Sequence, residues 1–353
     1  MTARPPIACL GAGRMGRGIA VVFAYAGHRV CLVDFKQRSL ADFARLREEA
    51  IEEIRGTLRT LARFGLFAPT MVEAIVARVR VLPMTGSTAA FAKAAIIFEG
   101  VPEVLDLKRT VLAQASMLAR QPIIASTTST ILVDELSSAV ERPERFLNIH
   151  WLNPAFLMPL VEVSPGANTD PSVVERVKSL LETVGKVPVV CAARPGFIVP
   201  RIQTLAMNEA ARMVEEGVAS AEDIDKAIKY GFGIRYAVLG MLEFIDWGGG
   251  DILYYASRYL TGALKSERYQ APDIVERNMR EGRIGLKTGE GFLNYEALDR
   301  DDYRRERLAA FAALLGHFGL TRPPVLPAAV KRTRINRKHR AKRRHARPQS
   351  RQR

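Results

Sequence analysis

Ile7-Ala8-Cys9-Leu10-Gly11-Ala12-Gly13-Arg14-Met15-Gly16 decides the fold. Four apolar residues run into glycines at the first, third and sixth places of a turn. A helical stretch follows with Ile19, Val22 and Phe23 on one face, and residues 29–34 (Arg-Val-Cys-Leu-Val-Asp) form a second strand ending in an acid. Strand, glycine turn, helix and strand within about thirty residues make a βαβ unit. The first glycine allows the tight turn, the second lets the backbone approach a pyrophosphate, and the third lets helix and strand pack closely. Free N–H groups at the helix start then face the phosphates. Asp34 follows Gly11 by 23 positions, where a carboxylate accepts hydrogen bonds from the adenosine ribose. An acid there repels a 2′-phosphate, so the expected cofactor is NAD rather than NADP, although Lys36 and Arg38 lie close by. Gly11, Gly13, Arg14, Met15, Gly16 and Asp34 are the candidate nucleotide contacts.

Working outward, apolar runs at 95–98, 122–125, 146–149 and 187–190 alternate with helical segments, the pattern of a mostly parallel sheet covered by helices. Residues 38–65 read as a helix pair or one long helix ending at Gly65. After Pro195-Gly196 strand signals nearly vanish to about 297, and one more helix is expected over 298–320. The expected fold is α/β: a Rossmann-type, doubly wound, mostly parallel sheet followed by an all-α C-terminal domain. The expected boundaries are 1–192 for the nucleotide domain (38–65 being a helical insertion), 193–320 for the helical domain, and 321–353 for a proline-containing linker and basic tail.

The 353 residues, 48% hydrophobic and 25% charged, exclude a collagenous, disulfide-stapled or wholly disordered chain. The net charge of +15 resides largely in residues 331–353, which hold 12 Lys or Arg and no acid; the remainder has 40 basic against 37 acidic residues. That tail could bind polyanions such as nucleic acid, or be a solvated appendage. It lacks the interleaved aromatic residues of a base-stacking surface. Cys9, Cys31 and Cys191 sit beside apolar residues and read as small buried hydrophobes in a reducing compartment. No Cys/His spacing suggests a metal. No run is long enough to span a bilayer, and Met1–Pro6 lacks signal-peptide features, so a cytoplasmic location without membrane association is expected.

Glu162 interrupts the run Leu157-Met158-Pro159-Leu160-Val161-Glu162-Val163, a costly place for a carboxylate unless it is paired. His150 lies twelve positions earlier, followed by Asn153-Pro154. The hydroxyl run Ser126-Thr127-Thr128-Ser129-Thr130 suits substrate binding or a helix cap. Arg55, Arg59 and Arg63 recur at i, i+4 and i+8, one helical face that could meet phosphates or only solvent.

Several blocks resemble the L-3-hydroxyacyl-CoA dehydrogenase family. They are Phe98-Glu99-Gly100-Val101-Pro102-Glu103, Ser126 to Thr130, Asn148-Ile149-His150-Trp151-Leu152-Asn153-Pro154, Met158 to Val163, Pro195-Gly196-Phe197-Ile198-Val199, and Lys287-Thr288-Gly289-Glu290-Gly291-Phe292. They occur in the family's order over roughly residues 6–297. The resemblance implies an NAD domain followed by a helical domain that forms a homodimer, and a small-molecule substrate in the cleft between the two domains. It implies a catalytic set of His150 as base, Glu162 orienting it and Ser129 on the reacting oxygen. It also places Glu103, Lys108, Asn153 and Lys287 along the cofactor. The chemistry agrees: removing a hydride from a secondary alcohol needs a base for the hydroxyl proton, histidine titrates near working pH, and a carboxylate on its second nitrogen fixes the tautomer.

Two departures bear on the substrate. The family continues Gly-Phe-Ile-Val with asparagine, whereas this chain has Pro200, which offers no side-chain donor. The stretch Gly231-Phe232-Gly233-Ile234-Arg235-Tyr236-Ala237 looks more like the gulonate and carnitine branch, and Arg235 could hold a substrate carboxylate or serve structure alone. The sequence thus points to NAD-dependent oxidation of a short 3-hydroxyacyl-CoA, with Arg55 and Arg59 candidates for coenzyme A. A free 3-hydroxy acid held by Arg235 is the alternative, and a non-catalytic use of the fold a third.

Overall fold

The structure is a computed structural model, in which residues 4–119 and 121–325 are described. Beyond the first five residues of the expected linker, the segment 326–353 with its basic tail lies outside them. The chain divides into two compact units after Arg212.

The first unit is built on one eight-stranded sheet in the order β3-β2-β1-β4-β5-β6-β7-β8. In chain order its elements are β1 (Ile7–Leu10), α1 (Arg14–Tyr25), β2 (Val30–Asp34), α2 (Leu40–Arg63), α3 (Val72–Val76), β3 (Val79–Pro83), α4 (Thr88–Lys93), β4 (Ile96–Glu99), α5 (Leu105–Leu118), β5 (Ile123–Ser126), α6 (Val133–Ser137), β6 (Phe146–Trp151), β7 (Leu160–Pro165), α7 (Pro171–Thr183) and β8 (Val187–Val190). All neighbours pair in parallel except β6 and β7, which are antiparallel. Strands β1, β4 and β5 are buried on both faces, hence their unbroken apolar character. Phe23, Phe98 and Trp151 pack together in the core on one side of the sheet, and Phe91, Leu112 and Phe146 in the core on the other. The order 3-2-1-4-5-6 reverses between β1 and β4, and ligands of such sheets bind at that switch point, beyond the carboxyl ends of the strands.

Residues 38–65 resolve into the single 24-residue helix α2, capped by the Ser39 hydroxyl, which accepts the Asp42 N–H. Strands β3 and β7 were not among the apolar runs expected as strands: Arg80 breaks the first run and Glu162 the second.

The chain continues through α8 (Val199–Glu215), which crosses from the first unit into the second, α9 (Ala221–Ala227), a π-helical turn at Ile228–Gly233, α10 (Ile234–Tyr236), α11 (Met241–Gly248), α12 (Gly250–Ala263), α13 (Asp273–Arg280) and α14 (Arg300–His317). The second unit has no strand among its described residues, only isolated bridges at Gly285–Glu290 and Glu290–Asn294. A buried polar knot forms on Asp246, 1% exposed, which accepts the N–H groups of Phe292 (2.9 Å) and Leu293 (2.8 Å) and the Tyr295 hydroxyl (3.2 Å). Burial, then the charge of Asp246, pushes the Tyr295 phenol well up. A Cβ at Gly291 would stand 2.1 Å from the Asp246 carboxylate, so the knot closes only around glycine.

Candidate active site

The glycine turn after β1 has the geometry a dinucleotide requires. Gly11 has φ +116°, and a Cβ there would stand 2.7 Å from the Gly100 carbonyl; a Cβ at Gly16 would stand 2.0 Å from the Gly11 carbonyl. Above Gly13, by contrast, a Cβ would meet nothing within 4 Å. No side chain caps α1, so its first N–H groups are left for an anion. Gly11, Gly13, Asp34, Arg38, Gly100 and Val101 border a cavity of about 400 Å³. Asp34 ends β2, 3% exposed, with Oδ2 accepting from Arg38 Nε at 2.5 Å and Oδ1 from the Lys36 N–H at 3.3 Å. Open backbone donors beside a buried acid at the switch point fit NAD. Arg14 is exposed and Met15 half-buried in the first turn of α1.

A second cavity of about 380 Å³ in the same unit brings Arg14 and Asn153 together with Glu53, Ile54 and Thr57 of α2. The loop bearing Asn153 is held by Lys186, whose ammonium donates to the carbonyls of Ala155 (2.6 Å) and Met158 (2.7 Å) and lies over the Trp151 ring. Burial holds Lys186 below the usual lysine range.

The antiparallel step from β6 to β7 sets His150 directly opposite Glu162. His150 Nδ1 lies 2.7 Å from Glu162 Oε2, with His150 5% exposed and Glu162 fully buried. Glu162 Oε1 accepts the backbone N–H groups of Ile198 and Val199, each at 2.8 Å, at the start of α8. Both carboxylate oxygens are therefore engaged, while Nε2 of His150 has no partner among the described residues. Pro200 falls in the first turn of α8, where an N–H has no intrahelical partner to lose.

Phe197, in the turn that brings those N–H groups to Glu162, stacks on His150 with ring centroids 5.0 Å apart and planes 8° from parallel. Its backbone has φ +45°, next to Gly196 at φ +80°. For a residue with a side chain the left-handed region costs roughly 1–2 kcal/mol.

Ser129 sits past the carboxyl end of β5, the strand beside β6. Its loop is held by Glu103, whose Oε1 accepts from the Ser129 N–H (3.0 Å), the Thr130 N–H (3.1 Å) and hydroxyl (2.9 Å), and the Thr128 hydroxyl. Burial works to raise the Glu103 carboxyl, but the bonds from Thr128 and Thr130 and the nearby Lys108 together carry it below the usual range. Lys108 is itself 1% exposed; it pairs with Glu99 (2.9 Å) and Glu103 (3.4 Å), and Glu99 also accepts from Ser126 (2.6 Å). Glu103 and Lys108, which the resemblance puts along the cofactor, form the scaffold beneath the Ser129 loop, with Glu103 partly exposed and Lys108 buried.

On α2, Arg55 pairs with Glu52 (2.5 Å) and Glu73 (2.9 Å), Arg59 pairs with Glu52 (3.3 Å), and Arg63 donates to Thr60. The second unit carries two of the expected site residues. Arg235 is exposed, with its guanidinium 5.2 Å from the Phe244 ring centre, and Lys287 is exposed on the loop tied down by Asp246. Sequence reasoning gave no role to Phe197, Glu99, Lys186 or Asp246. Glu99 had the same visible signal as Glu162, a carboxylate within an apolar run.

A mostly parallel sheet with an open glycine turn, a buried acid at the end of its second strand and a histidine–carboxylate pair defines an NAD-dependent oxidoreductase of the Rossmann class. The models for the 3-hydroxyacyl-CoA dehydrogenase NAD-binding domain and C-terminal domain match residues 6–194 and 196–295. The chain belongs to the 3-hydroxyacyl-CoA dehydrogenase family. It is 34% identical over 293 residues to a 3-hydroxyadipyl-CoA dehydrogenase from Escherichia coli, covering 82% of this chain and 59% of that longer protein. It is 31% identical to 5-formyl-3-hydroxy-2-methylpyridine 4-carboxylate 5-dehydrogenase from Mesorhizobium japonicum, over 87% and 96% of the two chains. Among solved structures, the 3-hydroxyacyl-CoA dehydrogenase of Archaeoglobus fulgidus superposes with a TM-score of 0.71 at 31% identity, covering 90% of this chain and all of that one. No helix among the described residues is long and apolar enough to cross a membrane.

Proposed function

We propose that the protein oxidises the 3-hydroxyl of a short 3-hydroxyacyl-CoA to the 3-oxo compound. The observation that carries this reading is the His150–Glu162 pair, buried on one side and unengaged at Nε2. The chemistry NAD supplies when bound is acceptance of the hydride from carbon 3. His150 Nε2 takes the hydroxyl proton, and Glu162 fixes the tautomer and stabilises the imidazolium that forms. Ser129 hydrogen-bonds the reacting oxygen. Gly11, Gly13, Arg14, Met15, Gly16 and Asp34 hold the nucleotide, and Asn153 and Lys287 contact it. Residues 1–192 carry the nucleotide and 193–320 the substrate and a homodimer contact. The dimer is supported by exposed apolar residues on α8 and α12, among them Leu205, Met207, Ile252 and Tyr259.

A second reading, a free 3-hydroxy acid, has its own support. Arg55 and Arg59 are already paired with carboxylates, Pro200 removes a side-chain donor, and Arg235 has no ion pair among the described residues. The deciding assay follows NADH formation with 3-hydroxybutyryl-CoA, free 3-hydroxybutyrate, gulonate and carnitine. Preference for the thioester supports the first reading; turnover of a free acid alone overturns it and selects Arg235 as the carboxylate anchor.

A further inference from the structure

We propose that Phe197 is a positioning residue that sets the plane of the His150 imidazole; this rests on the reading of His150 as the base. The backbone fixes the ring at Cβ, and Glu162 fixes it at Nδ1. Two fixed points leave one motion, rocking about the line that joins them, and Nε2 lies off that line. The Phe197 ring, nearly parallel to the imidazole, blocks that rocking.

The backbone around Phe197 points the same way. Among the described residues only Phe197 and Lys265 have positive φ without being glycine. An aromatic residue holds that conformation only where its surroundings over-determine it. Here residues 197–199 make three contacts with the dyad: the Ile198 and Val199 N–H groups on Glu162 Oε1, and the Phe197 ring on His150. One short segment thus fixes both members of the pair.

The test uses the full chain with NAD and whichever compound the panel above turns over. Phe197→Leu keeps apolar bulk but no flat face. It is expected to lower kcat about tenfold or more with the KM for NAD unchanged, since misplacing a reacting group costs rate rather than cofactor affinity. Phe197→Tyr restores a flat ring and is expected to restore kcat. A leucine variant within twofold of wild type overturns the proposal, and so does a tyrosine variant as slow as leucine, which would mark the site as packing alone. A readout independent of turnover is the NMR signal of the His150 Cε1–H in the wild-type holoenzyme. A stacked ring shifts it upfield, and an unshifted resonance refutes the stack whether or not the variants fold. If His150→Gln retains activity while the upfield shift is present, the reading of the base has failed and the stack has not.

Discussion

Glu162 and Asp246 are built alike. Each is buried, and each accepts two successive backbone N–H groups at 2.8–2.9 Å, from Ile198 and Val199 in one case and Phe292 and Leu293 in the other. They differ in the third partner. Glu162 gives its remaining oxygen to an imidazole whose far nitrogen is unengaged, whereas Asp246 takes the hydroxyl of Tyr295, 2% exposed and raised well above working pH. A buried carboxylate clasping backbone donors is therefore not by itself a sign of chemistry. What distinguishes the two is what the partner has left over: His150 keeps a second nitrogen unengaged among the described residues, whereas the single hydroxyl of Tyr295 is spent on Asp246.

Removing the partner or the knot should separate the two roles. His150→Asn, whose amide N–H can still reach Glu162, is expected to lower kcat by roughly 10²–10⁴-fold while disturbing thermal unfolding far less, measured by initial rates and calorimetry. Asp246→Ala strands two N–H groups and a phenol, and is expected to cost about 3 kcal/mol in urea unfolding of the full chain. Equal destabilisation by both variants would erase the distinction. At the nucleotide site, Asp34→Ser is expected to raise the KM for NAD about tenfold and to narrow the preference over NADP, because Arg38 loses its carboxylate partner.

The smallest effect is one of pH. The Glu103 carboxyl lies below its usual value of 4.5 in the folded protein, so its stabilising contribution is present above pH 4.5 and is lost as pH falls through the folded value. The stability gap between wild type and Glu103→Gln should accordingly be widest at neutral pH and close in acid, as followed by thermal melts across pH.

The nucleotide loop could be read from the sequence because its chemistry is local: Gly11, Gly13 and Gly16 lie within six residues, and Asp34 ends the next strand. That Glu162 needs a partner could be read from its place in an apolar run, and the family resemblance points to His150 as that partner. Phe197 could not, because nothing in Pro-Gly-Phe-Ile-Val reveals a positive φ or the ring stacked beneath it. Nor could the double pairing of Arg55, because Glu73 lies 18 residues away on α3. The spacing of Arg55, Arg59 and Arg63 is visible, as is Glu52 on the same helix, but Glu73 reaches Arg55 only through tertiary packing. Lys108 shows the same limit: its buried pairing with Glu99 is set by the packing of α5 on β4 and is not legible in its motif position.

The pairing of β6 with β7 places His150 across from Glu162 by sheet register rather than by a loop. In a strand pair, a slip of one residue turns every side chain to the opposite face. A chain zipped one step out would send Glu162 away from His150 while remaining compact and largely helical and sheet-like. Circular dichroism could pass such a molecule as folded, whereas the His150 resonance and, on the proposed reading, turnover would reject it.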